Sequence, residues 1–299
     1  MVRNRKQNIV KNIVVYSMLA YPLLQWFIWY LCKNITSVTM AFQTVEAGEL
    51  VFAGFSNFVK VLEGFKGDPI FITSFKNSII LFVVSFVVSV PLYMLFAYYI
   101  FKDAFGSKTL RFLIMLPSIV SGIIMTLIFK RVVTDVIPMF FIEENPDFPN
   151  LLRDGRYAFW VNLVFSIWLS FSTNILIYPN AMRTISEEVI ESARLDGVNI
   201  FQELWYIILP HIFQTFTTFV VTNTAGIFAT SGSLLTFYYY DAPPEAYNMG
   251  YYLLVKVMKT SSEAQKCFAA AAGLILTFVT APLTMFVRWA MEKYGPSED

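Results

Sequence analysis

Apolar residues in this chain gather in long runs, not in the short alternating stretches of a soluble fold. About 20 apolar residues in a helix cross the hydrocarbon layer of a bilayer, and six stretches reach or approach that length: 12–32, 78–101, 112–129, 158–178, 211–236 and 267–287. None of them holds an Asp, Glu, Lys or Arg, and His211 stands at the edge of one. The pattern predicts an all-α, polytopic membrane protein with six transmembrane helices in a single domain over 1–299. The first run is long, carries Trp26, Trp29 and Tyr30 toward its end and lacks a small-residue cleavage site, which reads as a retained helix and not a signal peptide.

Polar residues collect between these runs. Residues 1–11 form a basic tail with Arg3, Arg5, Lys6 and Lys11, and Lys102, Lys108 and Arg111 fill the short connection between the second and third runs. Both clusters point to the cytoplasmic side, although Lys130 and Arg131 at the far end of the third run argue against it. An even number of spans then puts both termini and the segment 183–209 in the cytoplasm. The outer segments 33–77, 130–157 and 237–266 hold Gly, Pro and acidic residues of the kind that make loops.

Segment 183–209 is patterned. Thr184 and Glu187 have the spacing of a capping box, and Ile185, Val189 and Ala193 recur every four residues, which predicts a short amphipathic helix. Ser192 and Ala193 are small enough to let a partner surface approach, Glu191 supplies an anion, and Gly197 can take the left-handed conformation that ends a helix. Ile200, Leu204 and Ile207 or Ile208 begin a second periodic run, and Pro210 stands at the entrance to the next apolar segment.

Glu191-Ser192-Ala193, three residues, Gly197, nine residues, Ile207-Ile208-Leu209-Pro210 resembles the signature loop of the membrane subunits of binding-protein-dependent ABC importers. That loop is written Glu-Ala-Ala, three residues, Gly, nine residues, Ile-x-Leu-Pro; Ser192 replaces an Ala. Asp196-Gly197 with Phe201 is similar to the carbohydrate-uptake branch of maltose and multiple-sugar type. So are Gly54-Phe55-Ser56-Asn57-Phe58 with Phe75-Lys76-Asn77-Ser78, and Arg111 through Pro117, whose proline equally suits an ordinary kinked membrane helix. Leu235-Thr236 lies where one branch has a Leu-Thr-x-Gly-Gly-Pro turn, but Tyr238, Tyr239, Tyr240 and Asp241 replace the glycines.

The resemblance implies a type I ABC importer permease fold, in which 183–209 is the coupling loop and Glu191, Ser192, Ala193, Asp196, Gly197 and Phe201 face an ATPase subunit. It also implies a second homologous permease subunit, two ATP-binding subunits that hold ATP and Mg, an extracytoplasmic solute-binding protein, a sugar substrate and a multi-pass place in the lipid of a bacterial cell membrane. A permease for a non-sugar solute such as a peptide is the alternative.

Composition and inventory agree with this reading. Hydrophobic residues make up 57% of the chain and charged residues 14%, less charge than a soluble globule carries. Proton- or sodium-coupled carriers usually keep an ionisable group inside the membrane, and these runs offer none. No phosphate-binding Gly-x-x-x-x-Gly-Lys loop occurs, so no cofactor is expected in this chain, and no nucleic-acid partner. An intramembrane enzyme is disfavoured because there is one His and no His-Glu-x-x-His. His211 reads as an interfacial residue bonded to a helix end, Ser231-Gly232-Ser233 as helix-packing residues, and Cys32 and Cys267 as neither disulfide nor metal ligands.

A solute path is expected among the polar residues of the fourth and fifth runs: Trp168, Asn174, Thr222, Asn223 and Ser231, near Ser166, Ser170, Ser172, Thr173, Thr217, Thr218, Thr224, Thr230 and Ser233. Hydroxyls and amides can bond sugar hydroxyls while an indole covers an apolar sugar face; hydrogen bonding between helices would explain the same residues. Gly226, in the middle of the fifth run, marks either close packing or a bend.

Overall fold

The computed structural model describes residues 2–141, 147–259 and 262–296. Two compact units appear, Met1–Glu63 with Thr260–Ile275, and Gly64–Lys259 with Leu276–Asp299. In the first, helix α1 (Val2–Ala41) is followed by an antiparallel hairpin of β1 (Gln43–Glu46) and β2 (Glu49–Phe52). The hairpin turns on Ala47 and Gly48, both with positive φ, as a two-residue turn requires. Asn57, at the start of α2 (Ser56–Gly67), donates through Nδ2 to the carbonyls of Ala41 (3.1 Å) and Gln43 (2.7 Å), fixing the end of α1. The described side chains of α1 are exposed from Val14 to Thr39; a helix apolar all round needs hydrocarbon or another membrane helix about it.

The second unit carries the rest: α3 (Pro69–Phe101), α4 (Ser107–Ile119), α5 (Gly122–Phe141), α6 (Gly155–Met182), α7 (Glu187–Leu195), α8 (Ile200–His211), α9 (Phe213–Ala225), α10 (Leu234–Tyr238) and α11 (Met249–Met258). Helix α12 (Glu263–Tyr294) is the last helix among the described residues. Among the described residues the fold is all-α apart from the hairpin. Among the described residues four helices are long and apolar enough to span a membrane, and six if each bent pair is one span.

The structure corrects two expected helices. The run 112–129 is not continuous, because α4 and α5 meet at 102° across an extended Val120-Ser121. Pro117 lacks the N–H that would bond Leu113, which weakens the turn before the break. The run 211–236 begins at a 77° bend between α8 and α9 and is interrupted further on, where α9 stops at Ala225 with Gly226 as its cap. Gly226 therefore ends a helix and does not sit inside one.

Three π-helical turns, Ser85–Ser89 in α3, Val132–Val136 in α5 and Glu203–Ile208 in α8, share a cause. Each ends two residues before a proline: Pro91, Pro138 and Pro210. A proline inside a helix has no N–H to give and presses on the carbonyl four residues back. Widening the preceding turn by one residue relieves that contact and keeps the helix running.

Neighbouring side chains of α3 pin the segment before α11. Asn77 Nδ2 donates to Glu245 O (2.7 Å) and Tyr247 O (2.8 Å), and Ser78 Oγ accepts from Met249 N (2.9 Å). Replacing Asn77 by Leu leaves two part-buried carbonyls without this donor and should cost about 1 kcal/mol, read as a lower midpoint of thermal unfolding in detergent; an unchanged midpoint would show that the clamp contributes nothing.

Candidate functional site

Two features share one core. The first is a cavity of about 390 Å³ between α3, α6, α9 and the segments flanking α10, within the size range of small-molecule sites. Helix α6 supplies Asn162, Ser166, Ser170 and Asn174, spaced by four residues along one face; α3 supplies Ser78, Ser85, Phe82, Phe86 and Tyr93. Thr222, Asn223, Gly226, Thr230, Gly232 and Asn248 complete the polar wall.

Five polar side chains of the wall are bonded to their own helices. Ser166 Oγ donates to Asn162 O (2.8 Å), Ser170 Oγ to Ile167 O (2.7 Å) and Thr222 Oγ1 to Thr218 O (2.7 Å). Asn174 and Asn223 each give one amide hydrogen, to Ser170 O and Phe219 O, both at 2.9 Å. These bonds run along a helix and not across to a neighbour, so the cross-helix explanation does not apply to them. With the protons of Ser166, Ser170 and Thr222 committed, these three hydroxyls offer lone pairs, beside amide carbonyls and the remaining amide N–H groups. Asn162 is 1% exposed, and its Oδ1 is buried without a protein partner. No Asp, Glu, Lys, Arg or His is among the lining residues.

Expected path residues divide accordingly. Asn174, Thr222 and Asn223 line the cavity, with Ser166, Ser170 and Thr230. Trp168 lies elsewhere, stacked on Phe129 (6.0 Å between centroids) and tilted against Phe165 (5.9 Å). Position 168 falls between the turns that face the cavity, so its indole joins an aromatic cluster. Ser231 is not in the wall, although its neighbours Thr230 and Gly232 are. The side chain of Thr173 lies outside those described. Asn162, Ser78 and Asn248 were missed. The four-residue spacing of Asn162, Ser166, Ser170 and Asn174 was the available signal, and Asn248 is an N-cap, its Oδ1 accepting from Tyr251 N at 2.8 Å.

The second feature is α7. Ser186, not Thr184, is its N-cap; Thr184 Oγ1 donates instead to Ala181 O at 2.8 Å. The capping box falls later, where Asn199 Oδ1 accepts from Gln202 N (2.9 Å) and Gln202 Oε1 from Asn199 N (3.0 Å). Ile190 and Ala193 face inward and Val189 is exposed, because the buried stripe follows a three-residue step. Ala193 therefore serves this chain's own packing. Glu191, Ser192, Asp196, Gly197 and Phe201 are all exposed, and Gly197 has φ +73°. Apolar side chains stand beside them, Leu195 at 89% and Phe201 at 73% exposure, with Ile200 nearby. A small, half-acidic, half-apolar surface results, suited to a complementary cleft.

Cavity and helix meet in one cluster. Tyr93 and Met94 of α3, Tyr178 and Met182 of α6, Ile185, Ile190 of α7 and Ile208 of α8 form a single buried core. Tyr93 also walls the cavity. His211 Nδ1 lies 2.6 Å from Ile207 O, the helix-end bond expected of it.

The family described as "Binding-protein-dependent transport system inner membrane component" matches residues 70–297. The arabinooligosaccharides transport system permease protein AraP of Halalkalibacterium halodurans is 24% identical, the match covering 95% of this chain and 90% of that protein. The sn-glycerol-3-phosphate transport system permease protein UgpA of Agrobacterium fabrum is 24% identical over 81% of each chain. A chain of a crystallised bacterial alginate ABC transporter, in complex with alginate pentasaccharide-bound periplasmic protein, superposes with a TM-score of 0.77 at 21% identity, covering 97% of this chain and 98% of its own.

Two glycines separate strain from collision. At Gly197 an added Cβ meets nothing within 4 Å, so Gly197→Ala costs only backbone strain, about 1–2 kcal/mol. At Gly250 it would lie 2.4 Å from the backbone of Thr230, which lines the cavity. Gly250→Ala should therefore lower the thermal midpoint more than Gly197→Ala does; equal midpoints would contradict this packing.

Proposed function

The chain belongs to the family of binding-protein-dependent transport system inner membrane components, and we propose that it forms half of the path by which an ATP-driven importer takes up a neutral oligosaccharide or related sugar. It is a transport subunit and not an enzyme, and its family works with a solute-binding protein and an ATPase. In the proposed assembly a second permease of similar fold completes the pore. Each permease seats its coupling helix on one of two ATP-binding subunits, which hold ATP and Mg. Both termini lie in the cytoplasm, with α7.

The single observation that carries this reading is the position of Tyr93, in the cavity wall and in the core beneath α7. Closure of the ATP-binding subunits draws the two coupling helices together, and the shared core passes the movement to the cavity, opening it to solute delivered by the binding protein. Hydrolysis resets the path. Glu191, Ser192, Asp196, Gly197 and Phe201 form the docking surface, with Leu195 and Ile200 added to the expected set.

An uncharged wall rich in oxygen acceptors supports the sugar assignment, because sugar hydroxyls donate to lone pairs and Phe82, Phe86 or Tyr93 can cover an apolar sugar face. A phosphate ester or an acidic polysaccharide, of the kind named for two of the similar proteins, would enter without a cationic partner among the lining residues, at a desolvation cost. A peptide, the remaining alternative, would bring charged ends into the same surroundings.

The test is ATP hydrolysis by the chain copurified in lipid with its partner permease and ATP-binding subunits, with binding protein and a panel of oligosaccharides, phosphate esters and peptides. Neutral oligosaccharides should stimulate hydrolysis, and Glu191→Lys should abolish the stimulation while leaving the amount of chain in the membrane unchanged. Stimulation by peptides alone would replace the substrate class; an ATPase that never associates with the chain would overturn the docking surface.

A further inference from the structure

The turn that ends α3 grips the coupling segment on both flanks. Lys102 Nζ lies 2.5 Å from Glu203 Oε1, and Asp103 Oδ1 lies 3.7 Å from Arg183 Nη2. Arg183 directly follows α6 and Glu203 lies in the π turn of α8, so two adjacent residues bracket everything from 184 to 202, including all of α7. Asp103 has φ +46°, a backbone conformation that non-glycine residues seldom take.

The two pairs are unequal. Asp103 and Arg183 are well exposed and 3.7 Å apart, the kind of contact that contributes little. The Glu203 side chain is only 6% exposed, and the Lys102 ammonium also lies 5.4 Å from the centroid of the Tyr98 ring. Removing either member of a buried pair leaves the other charge without compensation.

This pair bypasses a soft joint. From α7 toward the cavity, the chain itself runs through a π turn and then a 77° bend before α9. Movement of α7 could be absorbed there. Lys102 closes a shorter route, from the first residue of the π turn directly to the end of α3, whose Ser78, Ser85 and Tyr93 wall the cavity.

We propose that Lys102 and Glu203 are positioning residues of the transport cycle, fixing the trailing end of the coupling segment to α3 so that displacement of α7 reaches the cavity wall. The proposal rests on the reading of α7 as the helix that docks on the ATPase. It is tested on the reconstituted complex in proteoliposomes by measuring sugar uptake per ATP hydrolysed for Lys102→Met, Glu203→Gln and the exchanged pair K102E/E203K. The single variants should still copurify with the ATP-binding subunits and hydrolyse ATP, with uptake per ATP reduced about fivefold or more. The exchanged pair should recover most of it. Wild-type uptake per ATP in both single variants would overturn the proposal, as would an exchanged pair as poor as the single ones. Should a single variant fail to enter the membrane, the exchanged pair decides alone by the same ratio. Failure of the wild-type chain to bind the ATPase would strike at the docking reading, before any variant is made.

Discussion

Ile190 joins α7 to the core that backs the polar cavity. It projects inward from α7 into the core that holds Tyr93 and Met94 of α3, Tyr178 and Met182 of α6 and Ile208 of α8. Close-packed interiors transmit displacement because they have few voids to absorb it. A helix seated in such a core cannot shift without moving the helices around it, and two of those, α3 and α6, wall the polar cavity. The outward face of α7 carries exposed Glu187, Glu188, Glu191 and Ser192, with Leu195 beyond them, so one short helix is rooted on one side and available on the other.

Prolines shape the path between these two regions. Pro91, Pro138 and Pro210 each follow a π turn, and Pro117 precedes the break between α4 and α5. In a bilayer each freed carbonyl needs an internal partner, which favours a widened turn over an open gap. Three cavity hydroxyls follow the same rule: Ser166, Ser170 and Thr222 return their protons to carbonyls of their own helices. Asn162 Oδ1 is buried without a protein partner.

Much of this was legible in the amino-acid order. Charge-free runs marked the four long apolar helices, and the spacing from Glu191 to Pro210 marked α7, its end at Gly197 and the second helix. Other features needed three dimensions. A hydropathy run does not show where a helix breaks, so 112–129 and 211–236 looked continuous although Val120-Ser121 breaks the first and Gly226 ends the helix inside the second. Trp168 suited a sugar face by chemistry, yet helical phase turned it toward Phe129 and Phe165. Ala193 matched the docking signature but lies inward, since a three-residue step from Ile190 sets the buried stripe. The Lys102–Glu203 pair joins residues far apart in the chain, and no local pattern announces it.

The most direct test of the whole account is solute protection at the cavity wall. In a chain with Cys32→Ser, Cys267→Ser and Asn223→Cys, assembled with its partners in lipid, the rate of modification by a small thiol reagent is measured during turnover with ATP and binding protein. The account predicts that a transported neutral oligosaccharide slows modification at position 223, and that ATP without sugar does not. Modification at an unchanged rate while the sugar is transported would place the path elsewhere and contradict the account.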